Sequence, residues 1–274
     1  MAAILQQIVS ETRSRLAAGL SAPRRRELEN AAAQHHPRRF RQRMFESARR
    51  GPAVIAELKK ASPSRGLIRE QFSVKDLARE MEQAGAAALS VLTEEKHFLG
   101  SLENLRLASE TAGLPCLRKD FIVHEVQLLE ARAYCADAAL LIVAALSDAE
   151  LERLASSAKD LELDILCEVH DDHELDRALD AGFEMIGVNN RDLRTFEVSL
   201  ETSLRLIERI PASAFRVAES GIHTGADIRK LQSAGYQAFL IGESLMKQPC
   251  PGQALGQLLT DAAHGVPKAE VAGQ

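Results

Sequence analysis

AVIAELKKASPSRG, residues 53–66, is a short apolar run that ends in charge and breaks into a Ser-Pro-Ser-Arg-Gly loop. Side chains on a strand alternate faces, so Ile55, Glu57 and Lys59 share one side while Val54, Ala56 and Leu58 share the other. A carboxylate and an ammonium therefore leave the end of one strand side by side, next to a loop. Taken alone, the pair is equally an ordinary solvated strand end, so its meaning depends on whether the chain repeats the pattern.

Working outward, short runs rich in Val, Ile, Leu and Ala recur: AVIAEL (53–58), AAALSVL (86–92), LPCLRKD (114–120), AALLIV (138–143), LDILCEV (163–169), EMIGVN (184–189), FRVAES (215–220) and QAFLIG (237–242). Between them lie amphipathic patterns such as SVKDLAREMEQAG and TGADIRKLQSAG, with Ser73, Ser101, Ser147 and Thr224 placed as helix N-caps. Near-continuous apolar strands fit a parallel sheet buried on both faces. The α/β class and the count of eight β–α units predict a (β/α)8 TIM barrel. An open doubly wound sheet competes, but no G-x-G-x-x-G follows the first run to support it. Residues 1–50 read as a helical N-terminal extension with no strand candidate, 51–264 as the catalytic barrel and 265–274 as a flexible C-terminal tail.

Composition narrows the function. The 274 residues carry 34 Lys+Arg against 39 Asp+Glu, a net charge of -5, so no general basic field exists to hold nucleic acid. No apolar run approaches the roughly 20 residues of a membrane helix, and the N-terminus lacks the apolar core and cleavage site of a secretory signal. Cys116, Cys135, Cys167 and Cys250 form no C-x-x-C pair, which argues against a zinc site or disulfide framework and for a reducing cytoplasm.

In a barrel the C-terminal strand ends and the loops after them form the active face. The opening pattern does repeat there: Lys119 ends the third run, Glu168 lies in the fifth, Asn189 and Arg191 follow the sixth, and Glu219 and Ser220 end the seventh. Burying an unpaired charge is costly, so several charges closing apolar runs at one end favour a catalytic purpose. By alternation Glu168 and Glu219 point inward, while Cys167 and Ala218 turn toward the helices. Gly221 after the seventh run and Gly242 after the eighth let backbone amides approach a phosphate, in the two loops where many barrels bind one. Glu243 can serve there only through its backbone N–H, with its side chain directed away.

Other groups carry less weight. EVHDDHE, residues 168–174, has the look of a metal cluster, but Asp171 and Glu174 form a helix-start pair. His170 and His173 are expected in a loop and on a helix surface, with no metal. His35 and His36, before Pro37, are expected to be solvated. Phe98 either closes over an aromatic substrate or covers the barrel rim.

The motifs IAELKKASPS, LTEEKHFLGS, LRKDFIV, ADAALLIVAAL, LCEVHD, IGVNNRDL, VAESGI and LIGESLM, in this order over about residues 50–250, make the chain resemble the indole-3-glycerol-phosphate synthase family. The resemblance implies a carboxy-lyase that closes, decarboxylates and dehydrates an anthranilate-bearing deoxyribulose phosphate, with no cofactor. It places catalytic groups at Glu57, Lys59, Lys119, Glu168, Asn189, Glu219 and Ser220, and substrate contacts at Ser62, Phe98, Phe121, Arg191, Gly221, Gly242 and Glu243. It also implies a helical extension over the barrel mouth, a phosphorylated small-molecule substrate, and other tryptophan-pathway enzymes as candidate partners. Two rivals are a phosphoribosylanthranilate isomerase-like barrel, whose Cys at the end of strand one is replaced here by Glu57 and Lys59, and a catalytically silent barrel, which would have lost Lys59, Lys119 or Glu168.

Overall fold

Eight parallel strands close on themselves in the computed structural model, which describes residues 3–263. They are β1 (Ala53–Leu58), β2 (Ala88–Leu92), β3 (Cys116–Lys119), β4 (Ala138–Ile142), β5 (Asp164–Val169), β6 (Met185–Asn189), β7 (Phe215–Glu219) and β8 (Ala238–Ile241). They follow one another around the ring in chain order, and Ile55 of β1 pairs with Leu240 on one side and Ala88 on the other. Closure leaves no free sheet edge. Each apolar run of the sequence is a strand, with ends shifted by at most two residues. The Ser-Pro-Ser-Arg-Gly loop is closed by a ribbon pairing Ala61–Ser62 with Gly66–Leu67.

Helices α1 (Ala3–Leu16), α2 (Ala22–Gln34) and α3 (Phe40–Ala48) precede the barrel. Around it lie α4 (Val74–Gln83), α5 (Leu102–Thr111), α6 (Glu125–Ala133), α7 (Asp148–Asp160), α8 (Asp172–Asp180), α9 (Glu201–Leu206), α10 (Gly225–Ala234), α11 (Glu243–Met246) and α12 (Pro251–Ala263). Local chemistry starts the longer ones: Ser73, Ser101, Ser147 and Thr224 each accept a backbone N–H three residues on, and Ser147 and Thr224 complete capping boxes. The expected tail, residues 265–274, lies outside the described residues.

The first three helices run from one end of the barrel to the other. Ile4, Leu5 and Ile8 of α1 reach the mouth, where Glu11 takes Lys96 at 2.7 Å and Arg13 takes Glu150 at 2.8 Å. Leu28 and Ala32 of α2 pack on Leu129 and Ala133 of α6. At the opposite end Phe40 and Met44 of α3 are fully buried, and the Phe45 ring lies 4.6 Å from that of Phe215, the first residue of β7.

A buried carboxylate anchors this passage. Asp137, one residue before β4, accepts the Arg38 backbone N–H at 2.7 Å, Arg38 Nε at 3.2 Å and the Cys116 N–H at 2.7 Å, with His35 Nε2 at 3.0 Å. His35 is therefore not solvated as its place in a basic linker predicts; its side chain is only 10% exposed because Asp137 draws it under the barrel. Removing one partner of a buried ion pair strands the others. Asp137→Ala should thus destabilise the fold by about 3–5 kcal/mol, read as a lower urea midpoint at unchanged slope.

Candidate active site

Polar side chains close the apolar barrel at the C-terminal ends of its strands. Glu57 and Lys59 leave β1 on the same face, as alternation requires, with Lys59 Nζ 2.5 Å from Glu57 Oε1. Opposite them, Lys119 Nζ at the end of β3 donates to Glu168 Oε2 of β5 at 2.7 Å and lies 3.4 Å from Glu219 Oε2 of β7. Asn189, ending β6, donates its Nδ2–H to Glu168 Oε1 at 3.2 Å and accepts the Arg191 backbone N–H at 3.1 Å.

Two glycines make room for the acids. A Cβ on Gly187 of β6 would stand 2.2 Å from Glu219 Oε1, and one on Gly242, just past β8, would stand 2.5 Å from Glu57 Oε1. Side chains there would displace the carboxylates. Ser220 holds a left-handed backbone at φ +64°, a conformation that costs a non-glycine residue about 1–3 kcal/mol and is retained mainly at functional sites. The Asn190 side chain supports it, donating to Ser220 O at 3.1 Å.

Burial and proximity divide the protons. Burial works against the Lys119 ammonium, but Glu168, Glu219 and Glu57 outweigh it and hold the lysine charged. Burial likewise opposes the Glu168 charge, yet Lys119 and His170 keep that carboxyl well below its usual range. For Glu219 burial prevails against Lys119, and with the nearby Glu168 and Glu57 it pushes the carboxyl up to about 8. At neutral pH the cluster thus holds an ammonium, a carboxylate and a neutral acid within a few ångströms.

The residues selected from the sequence, from Glu57 and Ser62 through Phe98, Phe121 and Arg191 to Gly221 and Gly242, all line one cavity. Phe98 and Phe121 face each other at 6.0 Å between ring centroids. The Ser244 hydroxyl donates to Ile222 O at 3.0 Å, tying the loop after β7 to that after β8. Glu243 departs from expectation: its side chain stays at the cavity instead of turning away, taking Arg65 at 3.1 Å, Arg191 at 3.2 Å and Lys247 at 2.5 Å. Burial raises its pKa, but these cations lower it further and keep it ionised.

His170 lies in a loop as expected, but its side chain is only 11% exposed and its ring faces Glu168 and Glu174. His173 is exposed as expected, and among the described residues no group of three His, Cys, Asp or Glu could hold a metal ion. All four cysteines are free; Cys167 is buried, and burial pushes its thiol far above its usual range.

Sequence reasoning passed over several supports. Arg118, 2% exposed on the outer face of β3, holds Asp120 at 2.8 Å, and Thr93 donates to the same carboxylate at 2.6 Å. Asp120 also accepts the Phe121 N–H at 2.8 Å, so this cluster fixes the chain on both sides of Lys119. The signal was present in the adjacent Arg-Lys-Asp, where alternation sends Arg118 outward. The α1 contribution of Ile4, Leu5 and Ile8 has no such local signal.

Fold and mouth together define a class: a (β/α)8-barrel enzyme that joins buried acid–base groups to glycine-bearing loops after its seventh and eighth strands. Comparison with known proteins gives the particular family. Residues 5–258 match the family model described as indole-3-glycerol phosphate synthase, and the chain belongs to that family. It is 59% identical over 259 residues to the indole-3-glycerol phosphate synthase of Koribacter versatilis (strain Ellin345), covering 94% of this chain and 100% of that one. It is 46% identical over 256 residues to the enzyme of that name from Acinetobacter baumannii (strain AYE), covering 93% and 95%. Among solved structures, a 3-hexulose-6-phosphate synthase superposes with a TM-score of 0.61 at 12% identity, covering 76% of this chain and 99% of the other, a likeness of fold alone.

The glycine under Glu219 offers a direct test of this geometry. Gly187→Ala should leave the circular dichroism spectrum native but lower kcat by about 10²-fold, the order expected when a reacting group is displaced by an ångström.

Proposed function

We propose that the protein converts 1-(2-carboxyphenylamino)-1-deoxyribulose 5-phosphate to indole-3-glycerol phosphate, carbon dioxide and water. The observation that carries the reading is Lys119, half-buried and charged between Glu168 and Glu219 in a cavity that also holds two phenylalanines and the glycine-bearing loops.

The chemistry follows from the charges. The Lys119 ammonium polarises the substrate ketone and protonates its oxygen, while the ring carbon bearing the carboxylate attacks the carbonyl carbon. Loss of that carboxylate as carbon dioxide returns its electron pair to the ring and restores aromaticity. The new hydroxyl then leaves as water, and loss of the proton on the adjacent carbon completes the indole. Glu168 and Lys59 serve this dehydration, with Glu57 orienting Lys59. Asn189, Glu219 and Ser220 position the substrate, and the neutral Glu219 carboxyl can donate a hydrogen bond where a second carboxylate could not. The backbone around Gly221, Gly242 and Glu243 receives the phosphate, Ser62 and Arg191 contact anionic or hydroxyl groups, and Phe98 and Phe121 flank the aromatic ring. A cytoplasmic site of action accompanies this reading, supported by the four unpaired thiols. Other enzymes of the tryptophan pathway are its candidate partners.

Purified protein mixed with the carboxyphenylamino substrate should develop indole fluorescence; its absence at neutral pH would sink the assignment. Lys119→Ala should lower kcat by about 10²–10⁴-fold with native folding retained, and more than a tenth of the wild-type turnover would remove Lys119 from the acid role. Deleting residues 1–20 removes the α1 part of the cavity wall and should raise KM by about tenfold or more; unchanged KM and kcat would show that α1 takes no part in enclosing the substrate.

A further inference from the structure

Among the buried titratable groups at the mouth, His170 has no part in the chemistry described above. It is the first residue beyond β5, and its ring lies between two carboxylates: Nδ1 is 2.9 Å from Glu174 Oε2 and Nε2 is 3.3 Å from Glu168 Oε1. Neutral imidazole has one N–H and one lone pair, so it would set a lone pair against one of these oxygens. Only the imidazolium presents a proton to both. Glu174 Oε2 also accepts the His170 backbone N–H at 2.8 Å, so the first turn of α8 fixes the ring from outside. Nε2 lacks a well-aligned hydrogen-bond acceptor, and its hold on Glu168 is therefore chiefly one of charge.

The groups around this pair complete a charge count. Lys119 from β3, Asn189 from β6 and Glu219 from β7 surround the far side of Glu168. Asp171 and Arg194, the latter paired with Asp192, stand beyond Glu174. With Glu219 bearing its proton, the cations Lys59, Lys119 and His170 balance the anions Glu57, Glu168 and Glu174. Without a charge on His170 the cluster is left with an excess negative charge, which protonation of Glu168 would relieve. Burial opposes the imidazolium, but Glu168 and Glu174 raise its pKa to about 10.

We propose, building on the ring-closure reading, that His170 is a positioning residue for Glu168: its imidazolium fixes that carboxylate toward Lys119 and divides the two acids beside the lysine into a standing base, Glu168, and a proton carrier, Glu219. The pairing with Glu174 is what keeps the ring charged and aimed.

Two measurements test this. In the wild-type protein, ¹⁵N shifts of the His170 ring, assigned by difference from His170→Gln or His170→Asn, should show both nitrogens protonated at pH 7.5; a neutral single tautomer overturns the proposal whether or not the protein turns over the substrate. In the fluorescence assay, His170→Gln should lower kcat about tenfold with KM changed less than about threefold. It should also move the acid limb of the kcat/KM profile up by about one pH unit or more, because Glu168 loses a cation that favours its ionised form. Glu174→Gln should move the limb the same way by less. Wild-type activity with an unmoved limb in His170→Gln overturns the positioning role and leaves the ring-closure reading intact. An inactive wild-type protein with a doubly protonated ring defeats that reading and supports the charge assignment alone.

Discussion

The ion pair between Lys119 and Glu168 is the contact on which the mouth of the barrel depends. Glu168 is nearly inaccessible to water, while Lys119 keeps 14% of its side chain open to the cavity, and an isolated charge in the place of Glu168 would carry a penalty of several kcal/mol. Without Lys119 the Glu168 carboxylate is left with Asn189 and His170, so the pair constrains what can stand around it. Glu219 stands beside the lysine with its pKa raised by burial and by the neighbouring acids, and it fits only because position 187 has no side chain. Asn189 can approach Glu168 only as a donor. The chemistry at the mouth and the packing beneath it thus answer to one electrostatic problem.

The scaffold resolves that problem by assigning opposite faces of the same strands to different tasks. On β3 the inward Lys119 meets its acids while the outward Arg118 locks Asp120 and Thr93 against the helix layer. On β5 Glu168 faces in and Cys167 packs outward. Strand alternation is thereby a means of fixing a reactive group from behind, through a neighbour that never meets the cavity.

How much of this was legible in the sequence depended on range. Strands and helix starts are local events, and the apolar runs, Ser147 and Thr224 announced them. Glu57, Lys119, Glu168 and Glu219 were visible because a charge closing an apolar run is unusual, and alternation gave their direction. His170 was not legible, because its burial requires α8 to fold back over the end of β5. Asp171 caps α8 by accepting the Glu174 backbone N–H, as the pair predicts, but nothing local shows that the Glu174 carboxylate reaches back to His170. Glu243 shows a similar limit: Arg65 and Arg191, remote from it in sequence, bring its side chain to the mouth. The resemblance puts the N-terminal extension over the mouth, but its anchor at the other end was hidden, since Asp137 precedes a strand that gives no sign of receiving His35 and Arg38.

That path bears on how the mouth can open. α1 is joined through α2 to an anchor on the far end of the barrel, so a departure of α1 from the cavity leaves it on a short leash. Return is then an intramolecular event governed by an effective concentration, and not an encounter in bulk solution. The buried Leu5, Ile8 and Val9, together with the two ion pairs at the rim, then need only recapture a segment that is already close by. A wall tethered from the opposite pole is thus part of the barrel's architecture and not an independent cap.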